Sequence, residues 1–507
     1  MTDPVPARFN IARYCLAENA RLRPDKTAMI LAGADHEFRM TFGEVDQAVR
    51  RLAAGLQGLG LPRGSRIMIR MANDADYALT YFATMAAGYV ALPSSAQLTA
   101  AEAAYLLENS GAAAVAASAE LATDLQLPAG VLLIDPARLA QLKQAAPLAD
   151  YADTAADDPA YLVYTSGTTG RPKGVLHAQR AAWGRRPMHQ GWLGLHESDV
   201  MLHAGAFNWT YTLGVGLVDP WAVGATTVLY NGPRDIQVWP ALLEKHRATM
   251  FAAVPTLYRQ ILKYCDLASH DLSAFRHGVT AGEALAPALL AEWQQRTGRP
   301  LYEALGMSEI STYISTGPGM QIKPGSPGRP QPGRRVAILD PDDDGNGARP
   351  LAQGETGLLA VHRSDPSLML GYWNRPEEEA LVYRGEWFCG GDLASIDADG
   401  YVWHHGRNDD VMNAMGYRVS PVEVEMALAE HPAIAEVAVT EIRVREDVSV
   451  VAAFIVLREG ESLTAETIAG FAQDRLAAYK CPREWRFVAS LPRTANGKVQ
   501  RKKLALG

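Results

Sequence analysis

Up to about residue 400, short apolar runs alternate with longer amphipathic stretches. The run "SRIMIRM" (Ser65–Met71) precedes an Ala-rich segment from Tyr77 to Ala87, and "YVALP" (Tyr89–Pro93) follows it. "GATTVLY", ending at Tyr230, leads into the helix-periodic "IQVWPALLEKHR" and then into "ATMFAAVP". Continuous or alternating apolar runs predict strands, and the stretches between them predict helices. That rhythm is the one βαβ units produce around mostly parallel sheets. Between about Gly325 and Val361 the texture changes to Pro/Gly-rich turns with short strands, "RRVAILD" and "TGLLAVH", which fit a small antiparallel unit. After "GYVWHHGRNDD" comes a block with its own order: helix "SPVEVEMALAEH", strands "IAEVAVTEI" and "VSVVAAFIVL", helix "AETIAGFAQDRLA" and strand "EWRFV". The expected fold class is α/β. A large N-terminal domain, residues 1–408, would hold βαβ subdomains with parallel sheets and a small β-rich subdomain over about 325–400. A small α+β C-terminal domain would span 409–507, with the boundary at the Asn408–Asp410 turn.

Composition narrows the function classes. A chain of 507 residues is too long for one core, and its 21% charged and 48% hydrophobic content is that of an ordinary globular enzyme. A net charge of −8 argues against nucleic acid as the main partner. The longest apolar segment, "YALTYFATMAAGYVALP", stops short of a membrane span and contains Gly and Pro, so it reads as a buried helix running into a short strand. The N-terminus lacks the apolar core of a secretory signal. Cys15, Cys265, Cys389 and Cys481 lie far apart, without zinc-site or disulfide spacing. The expected setting is soluble, reducing and cytoplasmic, without a membrane.

Candidate chemistry begins at "YTSGTTGRPKGV", Tyr164 to Val175. Glycines let backbone N–H groups approach an anion, Ser/Thr hydroxyls add donors, and Lys173 adds charge. A Walker A loop would end in Gly-Lys-Ser/Thr and open a helix, but here the lysine enters "GVLH", another strand-like run. The loop is therefore a phosphate cradle of a different design, or a surface hairpin. In "LYEALGMSEI", Ser308 and Glu309 place a hydroxyl beside a carboxylate at a strand end, suited to holding Mg²⁺ against a nucleotide phosphate. A solvated loop glutamate is the alternative. Asp392 follows a Gly pair and Arg407 precedes the expected boundary. An aspartate can accept both ribose hydroxyls, and an arginine can bind ribose or phosphate. Lys498, after a glycine in "LPRTANGKVQRKKL", is a reactive amine in a turn or part of a solvated basic tail.

Taken in order, these segments resemble the acyl-adenylate-forming superfamily from about residue 10 to the end, in its acyl-CoA synthetase branch and most like benzoate or aryl-CoA ligases. "YTSGTTGRPKG" looks like its phosphate-binding motif and "GEAL", with Gly282 and Glu283, its adenine-side turn. "LGMSE" resembles its magnesium motif, Gly391–Asp392 its ribose motif, "GRNDD" its hinge and "RTANGK" its catalytic-lysine loop. Two departures stand out: Ser308 replaces the usual threonine, and Leu305, before Gly306, replaces the usual aromatic that stacks on adenine.

The resemblance implies two half-reactions. A carboxylate attacks the α-phosphorus of ATP to give acyl-AMP and pyrophosphate, and the thiol of coenzyme A then takes the acyl group and releases AMP. Thr165, Ser166, Gly167, Thr168, Thr169, Gly170 and Lys173 would cradle the phosphates, and Glu309 would hold Mg²⁺. Lys498 would bridge the carboxylate and the α-phosphate. The C-terminal domain would then rotate about Asp409, bringing Gly416 and Tyr417 to the pantetheine channel. The acid would be benzoate-like, aromatic or alicyclic, against Trp209 and Tyr211 with Thr312 at the far end, though these side chains could equally be core. A short or medium alkanoate is the alternative acid, and a stand-alone enzyme loading a carrier protein the alternative function. No cation is evident in the pocket segments, which disfavours a dicarboxylate. A homodimer, and acetylation of Lys498 by a lysine acetyltransferase with removal by a deacetylase, complete the expected partners.

Overall fold

A computed structural model describes residues 4–34, 36–165, 172–233, 235–342, 348–408, 412–414, 417–445, 448–476, 480–493 and 499–505. Among these residues, nine strands form one sheet whose centre is six parallel strands. They run in the order Leu301–Met307, His277–Ala281, Met250–Ala253, Val200–His203, Thr226–Tyr230, Thr27–Ala32. Antiparallel strands close both edges, Ser311–Ser315 and Arg329–Pro330 at one and Glu37–Thr41 at the other.

A second sheet of seven strands has a parallel centre, Pro159–Thr165, Val90–Pro93, Arg66–Arg70, Ala114–Ala117 and Leu132–Ile134. It ends in antiparallel Lys173–Ala178 and Gly371–Tyr372. The inner strands Val90–Pro93, Arg66–Arg70 and Ala114–Ala117 are buried on both faces almost throughout. The helix Ala75–Ala86 is buried along its length apart from Asp76, as its all-round apolar sequence requires, and Asp74 caps its first turn. Capping boxes start Phe42–Gln57 from Thr41 and Glu44, and Ala100–Ser110 from Thr99 and Glu102.

The Pro/Gly-rich stretch supplies antiparallel strands Val336–Leu339 and Gly357–His362; the latter pairs with Trp387–Ile396, which also pairs with Val402–Arg407. Toward the C-terminus, Ile434–Arg445, Val448–Leu457 and Glu484–Phe487 form a three-stranded sheet. Helices Pro421–Ala429 and Ala465–Gln473 cover its own small core, which includes Val424, Leu428, Val439, Val451 and Ile468. The fold is thus α/β with parallel sheets and a smaller C-terminal domain. Among the described residues, no helix is long and apolar enough to cross a membrane.

One segment departs from a simple helix. "TYTLGVGLVDPWAV" begins as α-helix Thr210–Leu213, widens to a π-helical turn at Gly214–Val218 and resumes as Asp219–Val223. Such turns interrupt the regular hydrogen-bond ladder and concentrate at functional sites.

Candidate active site

The glycine-rich motif joins two antiparallel strands. Thr165 ends Pro159–Thr165 and Lys173 begins Lys173–Ala178 directly opposite it. Ser166, Gly167, Thr168, Thr169 and Gly170 lie outside the described residues. Lys173 Nζ sits 3.7 Å above the ring of Tyr372, the last residue of the edge strand Gly371–Tyr372. Burial lowers the Lys173 ammonium pKa, against the pull of Glu309 and Glu378, while Arg407 and Arg375 add positive charge nearby.

Tyr372 donates its phenol to Glu309 Oε1 at 2.7 Å. Burial, reinforced by the Glu309 carboxylate, raises the phenol pKa well above its ordinary value, so this oxygen stays a donor. Glu309 occupies the turn between Leu301–Met307 and Ser311–Ser315, which is pinned from outside. Met369 N donates to Glu309 O at 2.8 Å, and His177 Nε2 lies 2.8 Å from Ser308 O. Burial pushes the His177 pKa down to about 4, so the ring is neutral near neutral pH. A carbonyl can only accept, so the ring proton is on Nε2. Gly306 lies so close to Ser311 O that a Cβ there would overlap it, and its neighbour Leu305 pairs with Ile314 and borders a cluster containing Tyr313.

The turn that the resemblance sets beside adenine follows His277–Ala281. Gly282 has φ +93°, and Glu283 Oε2 accepts from Thr256 Oγ1 at 2.8 Å. Two residues on, Leu285 N donates to Glu303 Oε1 at 2.9 Å, tying the turn to the strand that carries Leu305 and Gly306. Glu303 is buried, and desolvation raises its pKa to about 7 despite that N–H.

Asp392 and Arg407 face each other across paired strands, with Arg407 Nη1 at 3.8 Å from Asp392 Oδ1 and 2.5 Å from the carbonyl of Gly390. His404 Nε2 lies 3.3 Å from the same Asp392 oxygen.

In the segment expected to meet the acid, Trp209 is half-buried just ahead of Thr210–Leu213. The Tyr211 ring stacks on Trp192 at 6.0 Å, meets His203 edge-on at 5.1 Å and donates to Val279 O at 3.4 Å. Thr312 is buried with Oγ1 3.6 Å from Met188 Sδ. A cation does stand beside this helix: Arg185, which the sequence reading missed, is buried and salt-bridged to Asp219 at 2.5 Å.

Lys498, Asp409 and Gly416 lie outside the described residues, and Tyr417 is described only as backbone, paired with Ala414. The ends of the lysine loop are nevertheless fixed. Arg493 pairs with Val499, Gln500 N donates to Pro492 O at 2.8 Å, and Arg493 Nη2 donates to Glu436 Oε2 at 2.7 Å.

The structure therefore brings Lys173, Ser308, Glu309 and Tyr372 together with Arg407 nearby, and sets Asp392 against Arg407. Sequence reading missed Tyr372, His177, Glu303 and His404. A lone acid inside the apolar run "LYEALGM" was the one local signal, for Glu303.

Comparison with known proteins identifies the family. Residues 16–373 match the AMP-binding enzyme family and 423–498 its C-terminal domain. The chain is 35% identical to the mitochondrial acyl-coenzyme A synthetase ACSM5 of Homo sapiens, over 99% of this chain and 90% of that one. A crystal structure of an anthranilate CoA ligase in complex with anthranoyl-AMP superposes with a TM-score of 0.88 at 31% identity, covering 98% of this chain and 97% of that one. A benzoate CoA ligase from Burkholderia xenovorans LB400 superposes with a TM-score of 0.87 at 33% identity, covering 98% of this chain and 100% of that one. The chain belongs to the AMP-binding enzyme family, in its acyl-CoA synthetase branch.

Proposed function

We propose that this AMP-forming acyl-CoA synthetase activates a benzoate-like aromatic or alicyclic acid. One observation carries the choice of acid: the segment with Trp209 and Tyr211 is flanked by aromatic side chains, and the buried cation beside it, Arg185, is already matched by Asp219. Among the described residues, the cation beside this segment, Arg185, is already compensated, so a second carboxylate on the substrate would have to compete with Asp219 for it. The solved ligases for anthranilate and benzoate, with 31% and 33% identity, support the same reading.

In the first half-reaction the carboxylate meets the polyanionic ATP, so charge must be neutralised and the reactants aligned. Thr165, the loop 166–170 and Lys173 hold the phosphates. Gly282, Glu283, Leu305 and Gly306 border the adenine, and Asp392 and Arg407 take the ribose. Lys498 bridges the carboxylate and the α-phosphate. The donor set suits Mg²⁺, which takes one or two carboxylates and completes its shell with substrate phosphates and water. Glu309, oriented by Tyr372, is that carboxylate, and Ser308, its neighbour in the chain, would add a hydroxyl. When bound, the metal neutralises phosphate charge. The attacking carboxylate oxygen forms a bond to the α-phosphorus while the bond to pyrophosphate breaks.

In the second half-reaction the C-terminal domain, 409–507, turns about Asp409. Gly416 and Tyr417 then line the route by which the thiol of coenzyme A reaches the acyl carbon, and AMP leaves. A cytoplasmic setting, a homodimer and reversible acetylation of Lys498 belong to the same reading. Loss of the Lys498 charge on acetylation would switch adenylation off. A mass measurement of the Lys498 peptide from cells with and without deacetylase activity tests it, and a residue always unmodified refutes it.

The deciding experiment measures AMP release with ATP, Mg²⁺ and CoA across benzoate, cyclohexanecarboxylate, butyrate and octanoate. Benzoate or cyclohexanecarboxylate should lead. Preference for the alkanoates would overturn the choice of acid, and absence of a free CoA thioester would favour a carrier protein as acceptor.

A further inference from the structure

Arg185 contacts two separate segments of the chain at once. It sits between two short helices, Ala181–Gly184 and Arg186–Gly191, and is 4% exposed. Its guanidinium grips Asp219 with two bonds, Nε to Oδ1 at 2.8 Å and Nη2 to Oδ2 at 2.5 Å. Its third nitrogen, Nη1, donates to Ser311 Oγ. Asp219 is fully buried and also accepts from His189 Nε2 at 3.1 Å. Burial alone would push this carboxyl up, but Arg185 and His189 hold it below the usual carboxylate range.

The two ends of this brace lie in different parts of the site. Asp219 follows the π-helical turn Gly214–Val218, and the guanidinium lies so close against Gly214 that a Cβ there would overlap it. Ser311 begins the strand directly after the Glu309 turn and pairs with Met307. Its φ of +72° is a strained value for a residue with a Cβ, which persists only where the surroundings over-determine it. The carbonyl of Ser311 in turn touches Gly306. An unbroken series of contacts therefore runs from Gly214 through Arg185 and Ser311 to Gly306.

A buried ion pair is a poor source of stability, since desolvation of two charges offsets most of their attraction. Its fixed geometry, by contrast, transmits position. We propose that Arg185 is a positioning residue that couples the acid-binding helix to the metal-binding turn. Occupancy of the acid pocket then sets the turn that carries Glu309, and Mg²⁺–ATP binding sets the helix. This inference rests on the assignment of those two elements under the proposed function.

The test reads coupling rather than stability. The wild type is first assayed for ATP–pyrophosphate exchange with benzoate, cyclohexanecarboxylate, butyrate and octanoate, and the acid giving the fastest exchange is kept as the probe. Exchange with none of them removes the functional reading and this inference together. With that acid, the Kd of Mg²⁺–α,β-methylene-ATP is measured with and without saturating acid. The wild type should show mutual enhancement on the order of 10-fold. Ser311→Gly removes the hydroxymethyl group and suits the positive φ, so it should fold with an unchanged or higher Tm. Its enhancement should fall to within about 2-fold of unity. The double variant Arg185→Met, Asp219→Leu removes both charges of the pair together and should lose the enhancement likewise. Arg185→Lys should not restore it, because an ammonium cannot span Asp219 and Ser311 in one plane. Wild-type enhancement near unity, or full enhancement retained in Ser311→Gly, would overturn the proposal.

Discussion

The phenol of Tyr372 lies 2.7 Å from the carboxylate of Glu309 while its ring carries the Lys173 ammonium 3.7 Å above it. One side chain therefore sets the spacing between the two groups assigned to the triphosphate and its metal. Tyr372→Phe keeps the ring under Lys173 and removes only the donor. A hydrogen bond to a charged group contributes about 1.5–3 kcal/mol, so acid-dependent ATP–pyrophosphate exchange should fall about 10- to 100-fold. The apparent Mg²⁺ requirement should rise. Titration of exchange against Mg²⁺ checks this, and an unchanged titration removes Tyr372 from the metal site.

His177 reaches the same turn from another strand, with its Nε2 2.8 Å from Ser308 O. His177→Phe should keep the stack on Tyr161, whose ring centroid is 4.6 Å away, and lose the bond. We expect a loss in exchange rate with a smaller loss in Tm. Equal Tm and rate effects on acid-independent nucleotide binding would indicate a purely structural role.

Glu303 gives a prediction in pH. Its pKa rises from an ordinary 4.5 to about 7 on burial, so the folded protein holds a proton that the unfolded chain releases. The associated stability is fully present below pH 4.5 and is lost as pH rises through about 7. Glu303→Gln should remove on the order of 3 kcal/mol of that pH dependence. Denaturation of both proteins across this window checks it. Parallel curves for the two would show that Glu303 does not titrate there.

The hinge assignment predicts a split between half-reactions. Asp409→Pro fixes φ and removes a backbone N–H. Acid-dependent pyrophosphate exchange should stay near the wild-type rate, while thioester formation drops to a small fraction. Measuring both on one preparation decides it, and a variant active in both steps removes Asp409 as the hinge.

How far the sequence carried this picture depends on whether a feature is local. The strands Arg66–Arg70, Thr226–Tyr230 and Met250–Ala253 were legible because apolar runs and turn residues stand side by side in the chain. The motifs at Lys173, Glu309 and Asp392 were legible from their order and spacing. The residues that support them were not. Tyr372 is 63 positions from Glu309, and His177 is 131 from Ser308; only the sheet topology brings them together. The π-helical turn at Gly214–Val218 was hidden for the same reason, since it forms where the chain passes over Arg185. Trp209 and Tyr211 were seen as aromatic, but the embrace of Tyr211 by Trp192, just after the helix Arg186–Gly191, and His203, at the end of Val200–His203, depends on how those elements pack.

The most direct measurement takes Lys498→Ala through both half-reactions with the acid that the wild type prefers. The account predicts that adenylation falls by about 10² to 10³, the usual cost of losing a preorganised electrostatic contact. Conversion of supplied acyl-AMP and CoA to thioester should continue near the wild-type rate. Equal loss in both half-reactions, or full adenylation without the lysine, would contradict it.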